Sequence, residues 1–259
     1  MPTIAAAAIT DTGLVRRRNE DAILAASPVY AVADGMGGHE SGQLAAALAV
    51  AKMARLSALP QPIGRADVEA ALAAAQAAVV QLTHRPHCRA AGTTISAAIL
   101  VEHQGEIWWL VVNLGDSRTY RLSDGTLEQL SNDHSEVQEL VDAGRITPAE
   151  ARFHPRRNIV TKALGAGVEF EPDYRLVPLR AGDRFLICSD GLTGEVSDHR
   201  IIQLLRDNPD PLEAAQSLVG EALRLGGQDN ISVIVADVID TRTFPTTAPP
   251  PPASGTHEP

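Results

Sequence analysis

Apolar and polar positions along the chain separate into strand-like and helix-like stretches. The run from Ile4 to Thr10, "AILAAS" from Ala22 and "VYAVA" from Val29 predict three strands with turn residues between them. Two helices follow. The first spans Gly42 to Leu59 and is rich in Ala and Leu. The second runs from Asp67 to Leu82, where Val68, Leu72, Ala75, Val79 and Leu82 recur at helical spacing and Asp67 and Glu69 suit the positive end of the dipole. Strands return in "TTISAAILV", "IWWLVVNL", "RTYRL" and "TLEQL", with "SDG" as the hairpin turn between the last two. From His134 to Arg157 the apolar period fades into polar, helix-like pieces, which predicts an insertion on the surface. "YRLVPL" and "RFLICS" are strands again, a helix covers Pro211 to Leu225, and "ISVIVADVI" closes the sheet. This order points to antiparallel sheets covered by helices rather than a strict βαβ alternation. The Pro/Thr/Ala-rich tail from Thr241, residues 241–259, is expected to be disordered.

Composition narrows the function. At 259 residues with 44% hydrophobic and 21% charged residues, the chain has the make-up of a soluble globular protein with a sizeable core. Aromatics are only 3%, so that core is built from Ala, Val, Leu and Ile. The net charge of −10, without a long Lys/Arg cluster, disfavours nucleic acid and anionic membranes as general partners. Cys88 and Cys188 are too few for a disulfide framework, and "MPTIAAAAIT" reads as a first strand rather than a signal peptide. With no apolar run long enough to span a bilayer, a reduced cytoplasmic setting is expected.

Acids recur at strand ends. Asp34 ends "VYAVA" and is followed by "GMGG"; if that strand pairs with "AILAAS" as a hairpin, Asp21 meets Asp34 at one sheet edge. Asp116 follows "WWLVVNLG", Asp190 follows "RFLICS" and Asp229 precedes "NISVIVADV", so antiparallel neighbours bring these three to one edge as well. Asp124, one strand beyond Asp116, falls at the opposite end as a turn residue. Five crowded carboxylates repel one another unless cations sit among them, and oxygen-only ligands favour Mg²⁺ or Mn²⁺. The glycines after Asp34 let the Gly35 carbonyl approach such an ion. Taken singly, each Asp is more often a turn residue.

Seven ordered blocks carry a family resemblance: "TDTGLVRRRNEDA", "VYAVADGMGGH", "AGTTISAAIL", "VVNLGDSRTYRL", "LSNDHS", "RFLICSDGLTGEV" and "GGQDNISVIV". Together, from about Thr3 to Ile239, they resemble the bacterial metal-dependent type 2C protein serine/threonine phosphatases. The resemblance implies an α+β fold, a four-layer α-β-β-α sandwich of two antiparallel sheets flanked by helices. It makes residues 1–240 the catalytic domain, with about 134–159 as a flap beside the active site. Carried over by position, Asp34 is the bridging ligand of two Mn²⁺ or Mg²⁺ ions, Gly35 offers its carbonyl, and Asp190 and Asp229 are further direct ligands. Glu20 and Asp21 contact the cluster partly through water, Asp116 with Asp190 holds a weaker third ion, and Arg16 binds phosphate. Arg17 reads as part of a solvated basic run, and Arg18 has no assigned role. Asn230 is expected to orient its loop, and His134 to support the cleft.

The implied reaction is hydrolysis of phosphoserine and phosphothreonine in proteins by a metal-activated water, counteracting a bacterial serine/threonine kinase. Animal members carry a His two positions after the bridging Asp as proposed general acid; here Met36 stands there, which leaves His39 or a water for that role. "RFHPRRN" in the flap is either a docking aid or a solvated loop. Alternative readings are a phosphatase of a small phosphoester or an anti-sigma-type partner, or an inactive phosphoprotein-binding relative. The family's usual state is a monomer.

Overall fold

The computed structural model of the protein describes residues 1–37, 40–85, 88, 90–165 and 170–241. His39, the candidate acid, and the tail beyond Thr241 lie outside the described residues. In chain order the first strands are β1 (Thr3–Asp11), β2 (Ala22–Ala26), β3 (Val29–Ala33) and β4 (Gly35–Met36). Helices α1 (Glu40–Met53) and α2 (Arg65–Thr83) come next, then β5 (Gly92–Thr93), β6 (Ile95–His103), β7 (Glu106–Leu114), β8 (Arg118–Ser123) and β9 (Thr126–Gln129). The flap holds α3 (Glu136–Asp142) and α4 (Pro148–Ala151). After it come β10 (Leu164–Gly165), β11 (Asp173–Pro178), β12 (Arg184–Cys188), α5 (Asp190–Thr193), α6 (Asp198–Asp207), α7 (Pro211–Leu225) and β13 (Ile231–Asp240).

Two five-stranded antiparallel sheets, ordered β1-β13-β12-β8-β9 and β11-β7-β6-β3-β2, stack face to face. Their facing sides bury Tyr30, Val32, Trp109 and Val111 from one sheet against Phe185, Ile187, Ile234 and Ala236 from the other. The outer side of the second sheet packs on α1 and α2 through Ala45, Ala49, Leu72, Ala75 and Val79. The outer side of the first packs on α6 and α7 through Ile201, Leu205, Leu218 and Ala222. Because both faces of each sheet are covered, central strands such as β3 and β12 are buried at every position, which is why they read as unbroken apolar runs. The expected four layers are present.

Several local expectations need correcting. The first helix stops at Met53 and tightens into a 3₁₀ turn over Ala54–Ala58. The strand read as "TTISAAILV" breaks at Thr94, and Thr93, with Gly92 before it, joins a small sheet ordered β10-β5-β4. Helices α5 and α6 were not foreseen. In α6, Ser197 caps the first turn by accepting from the Arg200 N–H (3.3 Å), and Ile201, Leu204 and Leu205 bury one face. Asp124 sits in the β8–β9 turn at φ +48°, so the turn reading holds there.

Candidate active site

Sheet register decides where the acids meet. Ala22 opposes Ala33 in the β2–β3 pair, so Asp21 and Asp34 leave the same end of one sheet. In the other sheet Cys188 opposes Val233, which places Asp190 and Asp229 at that same end. Asp116 belongs to neither edge: it lies in the three-residue crossover between β7 and β8, which links the two sheets. All five therefore converge, but from two sheets and a bridge rather than from one edge.

Asp34, Asp116, Asp190 and Asp229 form the floor of an open cleft of about 930 Å³. Arg16, Arg17, Arg18, Glu20, Asp34, Gly35, Met36, Asp116, Asp190 and Asp229 line it, with Asn158, Ile159 and Val160 on the flap side. Asp21 does not face the cleft. It lies behind the floor, where Ser189 Oγ donates to its Oδ2 at 2.9 Å. A second chamber of about 490 Å³ beneath the flap shares Asp116, Asn158 and Asp190 with the first.

The backbone makes this crowding possible. A Cβ on Gly35 would stand 2.3 Å from the Gly42 carbonyl oxygen and 2.6 Å from that of Glu20. One on Gly191 would stand 2.0 Å from the Asn230 carbonyl. Asn230 ties the acid-bearing loop to the floor: its Nδ2 donates to the carbonyls of Thr12 and Arg18, both at 2.9 Å, and its Oδ1 accepts from the Glu20 N–H at 2.8 Å. That leaves it a loop anchor, as expected. Thr94, which the sequence did not single out, holds Asp34 by accepting from its N–H at 3.0 Å and shares a 2.8 Å hydrogen bond with Ser117, beside Asp116. Its signal was the small polar pair in "AGTTIS", too common a feature to read alone.

Electrostatically the floor is in tension. Burial, then repulsion from Asp21, Asp190, Asp116 and Asp229, pushes the Asp34 carboxyl well above the usual carboxylate range. Burial and Asp190 do the same to Asp116, and burial with Asp229 raises Asp190. Burial raises Asp21 to about 7, although hydrogen bonds from Ser232 and Ser189 oppose the shift. Asp21 Oδ1 and Asp190 Oδ1 are buried without a hydrogen-bond partner. Among the described residues Arg16 is the cation bonded to a floor acid: its Nη2 donates to Asp229 Oδ2 at 2.6 Å. Arg118 lies close by but is engaged by Asp133, to which it donates from both Nε and Nη2 at 2.7–3.0 Å. Among the described residues no three His, Cys, Asp or Glu side chains close on one point as a ready ion cage. The acids are spread over a floor, an arrangement suited to more than one ion, with carbonyls and waters completing each shell.

The sequence profile described as Protein phosphatase 2C matches residues 18–231. The chain is 44% identical over 237 residues to the serine/threonine protein phosphatase PstP of Mycobacterium tuberculosis, covering 90% of this chain and 45% of that one, so it spans about half the length of that relative. It is 34% identical over 242 residues to the serine/threonine phosphatase stp of Listeria monocytogenes, covering 88% and 93% of the two chains. The crystal structure of the catalytic domain of PstP in complex with two manganese ions superposes with a TM-score of 0.83 at 41% identity, covering 92% of this chain and 99% of that one. The profile and the identities together place this chain in the protein phosphatase 2C family.

Proposed function

We propose that the protein hydrolyses phosphoserine and phosphothreonine in proteins, with Mn²⁺ or Mg²⁺ as cofactor, and so opposes a serine/threonine kinase. The observation that carries this reading is the convergence of Asp34, Asp116, Asp190 and Asp229 beneath Arg16, with a buried oxygen of Asp190 left without a partner. The donor set fits hard cations: it is all oxygen, it repels itself, and the Gly35–Gly42 contact keeps the Gly35 backbone bare. The PstP catalytic domain, similar over nearly its whole length, was crystallised with two manganese ions.

In this reading Asp34, the Gly35 carbonyl, Asp190 and Asp229 would hold the ions directly, with Asp34 the shared ligand the resemblance implies, and Glu20 and Asp21 would act partly through water. Asp116 with Asp190 would hold a weaker third. Bound there, the ions would acidify a water and offset the negative charge of a phosphate dianion. Arg16 supplies a planar fork of donors, and its Nη2 bond to Asp229 leaves further N–H groups for phosphoryl oxygens. Met36 lines the cleft and carries no transferable proton. The test is release of phosphate from a phosphothreonine peptide. Mn²⁺ should switch activity on and EDTA should abolish it; turnover that survives EDTA would remove the assignment.

A further inference from the structure

The three consecutive arginines of "VRRRNED" have different fates. Arg16 binds Asp229, and Arg18 pairs with Glu40 at 2.9 Å. Arg17 makes no hydrogen bond or ion pair through its side chain with any described residue, yet it lines the same cleft as the acid floor. The sequence marked it as part of a solvated run, and it is exposed, but it is exposed within the cleft.

We propose that Arg17 is a specificity-determining residue that recognises an anionic group, carboxylate or second phosphoryl, beside the phosphorylated residue of a substrate peptide. The proposal rests on the phosphatase reading and names its substrate class. Arg17 is held in place by its loop. Leu14 N–H donates to the Gly227 carbonyl at 2.8 Å, and Asn230 grips the carbonyls of Thr12 and Arg18 on either side. A Cβ on Gly13 would stand 2.1 Å from the Asp229 carbonyl, so the loop is pressed against the floor. The guanidinium is thus presented from a fixed backbone, one residue from Arg16. Ile159 and Val160, which also line the cleft, are apolar and carry no charge. A peptide whose phosphate lies over the acids meets, in the same cleft, both a cation and apolar side chains. In a chain of net charge −10, an acidic substrate needs such a local cation to approach the cleft at all.

An exposed guanidinium–carboxylate pair corresponds to a factor of about two to five in binding. The experiment uses the full chain with Mn²⁺ and three phosphothreonine peptides that differ at the flanking positions: Gln, Glu, or a second phosphothreonine. The unaltered protein should show a kcat/KM about fivefold higher for the Glu peptide than for the Gln peptide, residing in KM and flattened by high salt. Arg17→Ala should level the ratio and Arg17→Glu should invert it. A preference shown only by the doubly phosphorylated peptide identifies the anion as phosphate; an equal gain with Glu identifies any anion. The same ratio in all three proteins overturns the proposal and returns Arg17 to the solvent. Failure of the unaltered protein to turn over any peptide overturns the phosphatase reading itself, and this inference with it.

Discussion

Strands β12 and β13 carry acids at both ends, and the two ends treat them oppositely. Away from the cleft, Asp237 receives two hydrogen bonds from Arg184, both 2.6 Å, and Arg184 also donates to the carbonyls of Leu205 and Asn208. Asp183, 3% exposed, accepts from Ser123 Oγ at 2.6 Å, and its other oxygen lies 3.9 Å from Arg121. There the chain provides its own cations. At the cleft end Asp229 is bonded by Arg16, but Asp190, with Asp34 and Asp116 beside it, has no cation bonded to it among the described residues, Arg118 is engaged by Asp133, and these three carboxyls are driven toward protonation. On β12 the same residue type is a structural partner at one end, Asp183, and an open demand for positive charge at the other, Asp190. Stability is met internally; function is left for an ion to complete.

The contrast is sharpest under paired substitution. Asp190→Asn should cut phosphate release by about a thousandfold, in line with several kcal/mol of transition-state stabilisation from a metal centre, and should weaken Mn²⁺ binding measured by calorimetry. Its fold should survive, since one buried like charge is gone. Arg184→Met should do the reverse. It strands Asp237 and costs about 3 kcal/mol in denaturant unfolding, while the folded fraction keeps its Mn²⁺ affinity. Equal losses of Mn²⁺ affinity in the two variants would erase the distinction between the ends.

The metal-free protein should also carry the difference in its pH dependence. An aspartate in the unfolded chain ionises near pH 4. In the fold, burial holds Asp21 at about 7, and Asp34, Asp116 and Asp190 are raised as well. The folded state therefore binds more protons than the unfolded state across this window, and stability falls as pH rises from about 4 to about 7. Thermal unfolding in EDTA should show that fall, Asp34→Asn should flatten it, and saturating Mn²⁺ should reverse it. A melting temperature in EDTA that climbs over the same range would contradict the account of the floor.

Much of this was legible in the sequence, for identifiable reasons. Long strands and α7 announce themselves because burial imposes a period or an unbroken apolar run on them. The strand-end acids were visible because "AILAAS" and "VYAVA" are separated by too short a connection to be anything but a hairpin. The division into two sheets came only with the family resemblance and not from the hydrophobic pattern, since pairing of β7 with β11 and of β12 with β8 and β13 is set by contacts distant in sequence. That is why Asp116 was assigned to an edge when it stands in the bridge. The two-residue strands β4, β5 and β10 are too short to leave any pattern. Helix α6 did leave one, in Ile201, Leu204 and Leu205 behind a Ser cap, but only ten residues carry it.

His134 supplies the finest test, because it joins the flap to the bridge. It is 7% exposed, donates its backbone N–H to the Gly115 carbonyl at 2.9 Å and accepts the Gly115 N–H on Nδ1 at 3.1 Å. Its carbonyl accepts from Thr161 at the flap exit at 2.8 Å, and Nε2 lies 3.2 Å from Asp173. An accepting Nδ1 places the proton on Nε2, and burial lowers the imidazole pKa despite Asp173, so the ring is neutral and fixed in one tautomer. It positions Gly115, and through it the neighbouring Asp116. Asn reproduces the acceptor at Nδ1; Gln reaches only toward Asp173. His134→Gln should therefore weaken a Mn²⁺ ion at Asp116 by about tenfold, the size usual for loss of an outer hydrogen bond, while His134→Asn stays near the unaltered protein in Mn²⁺ titration. If Asn weakens the ion and Gln does not, the Asp173 contact holds the bridge and the Gly115 bond does not. In that case Asp116 would owe its place to the flap's attachment at β11 rather than to the loop that carries it.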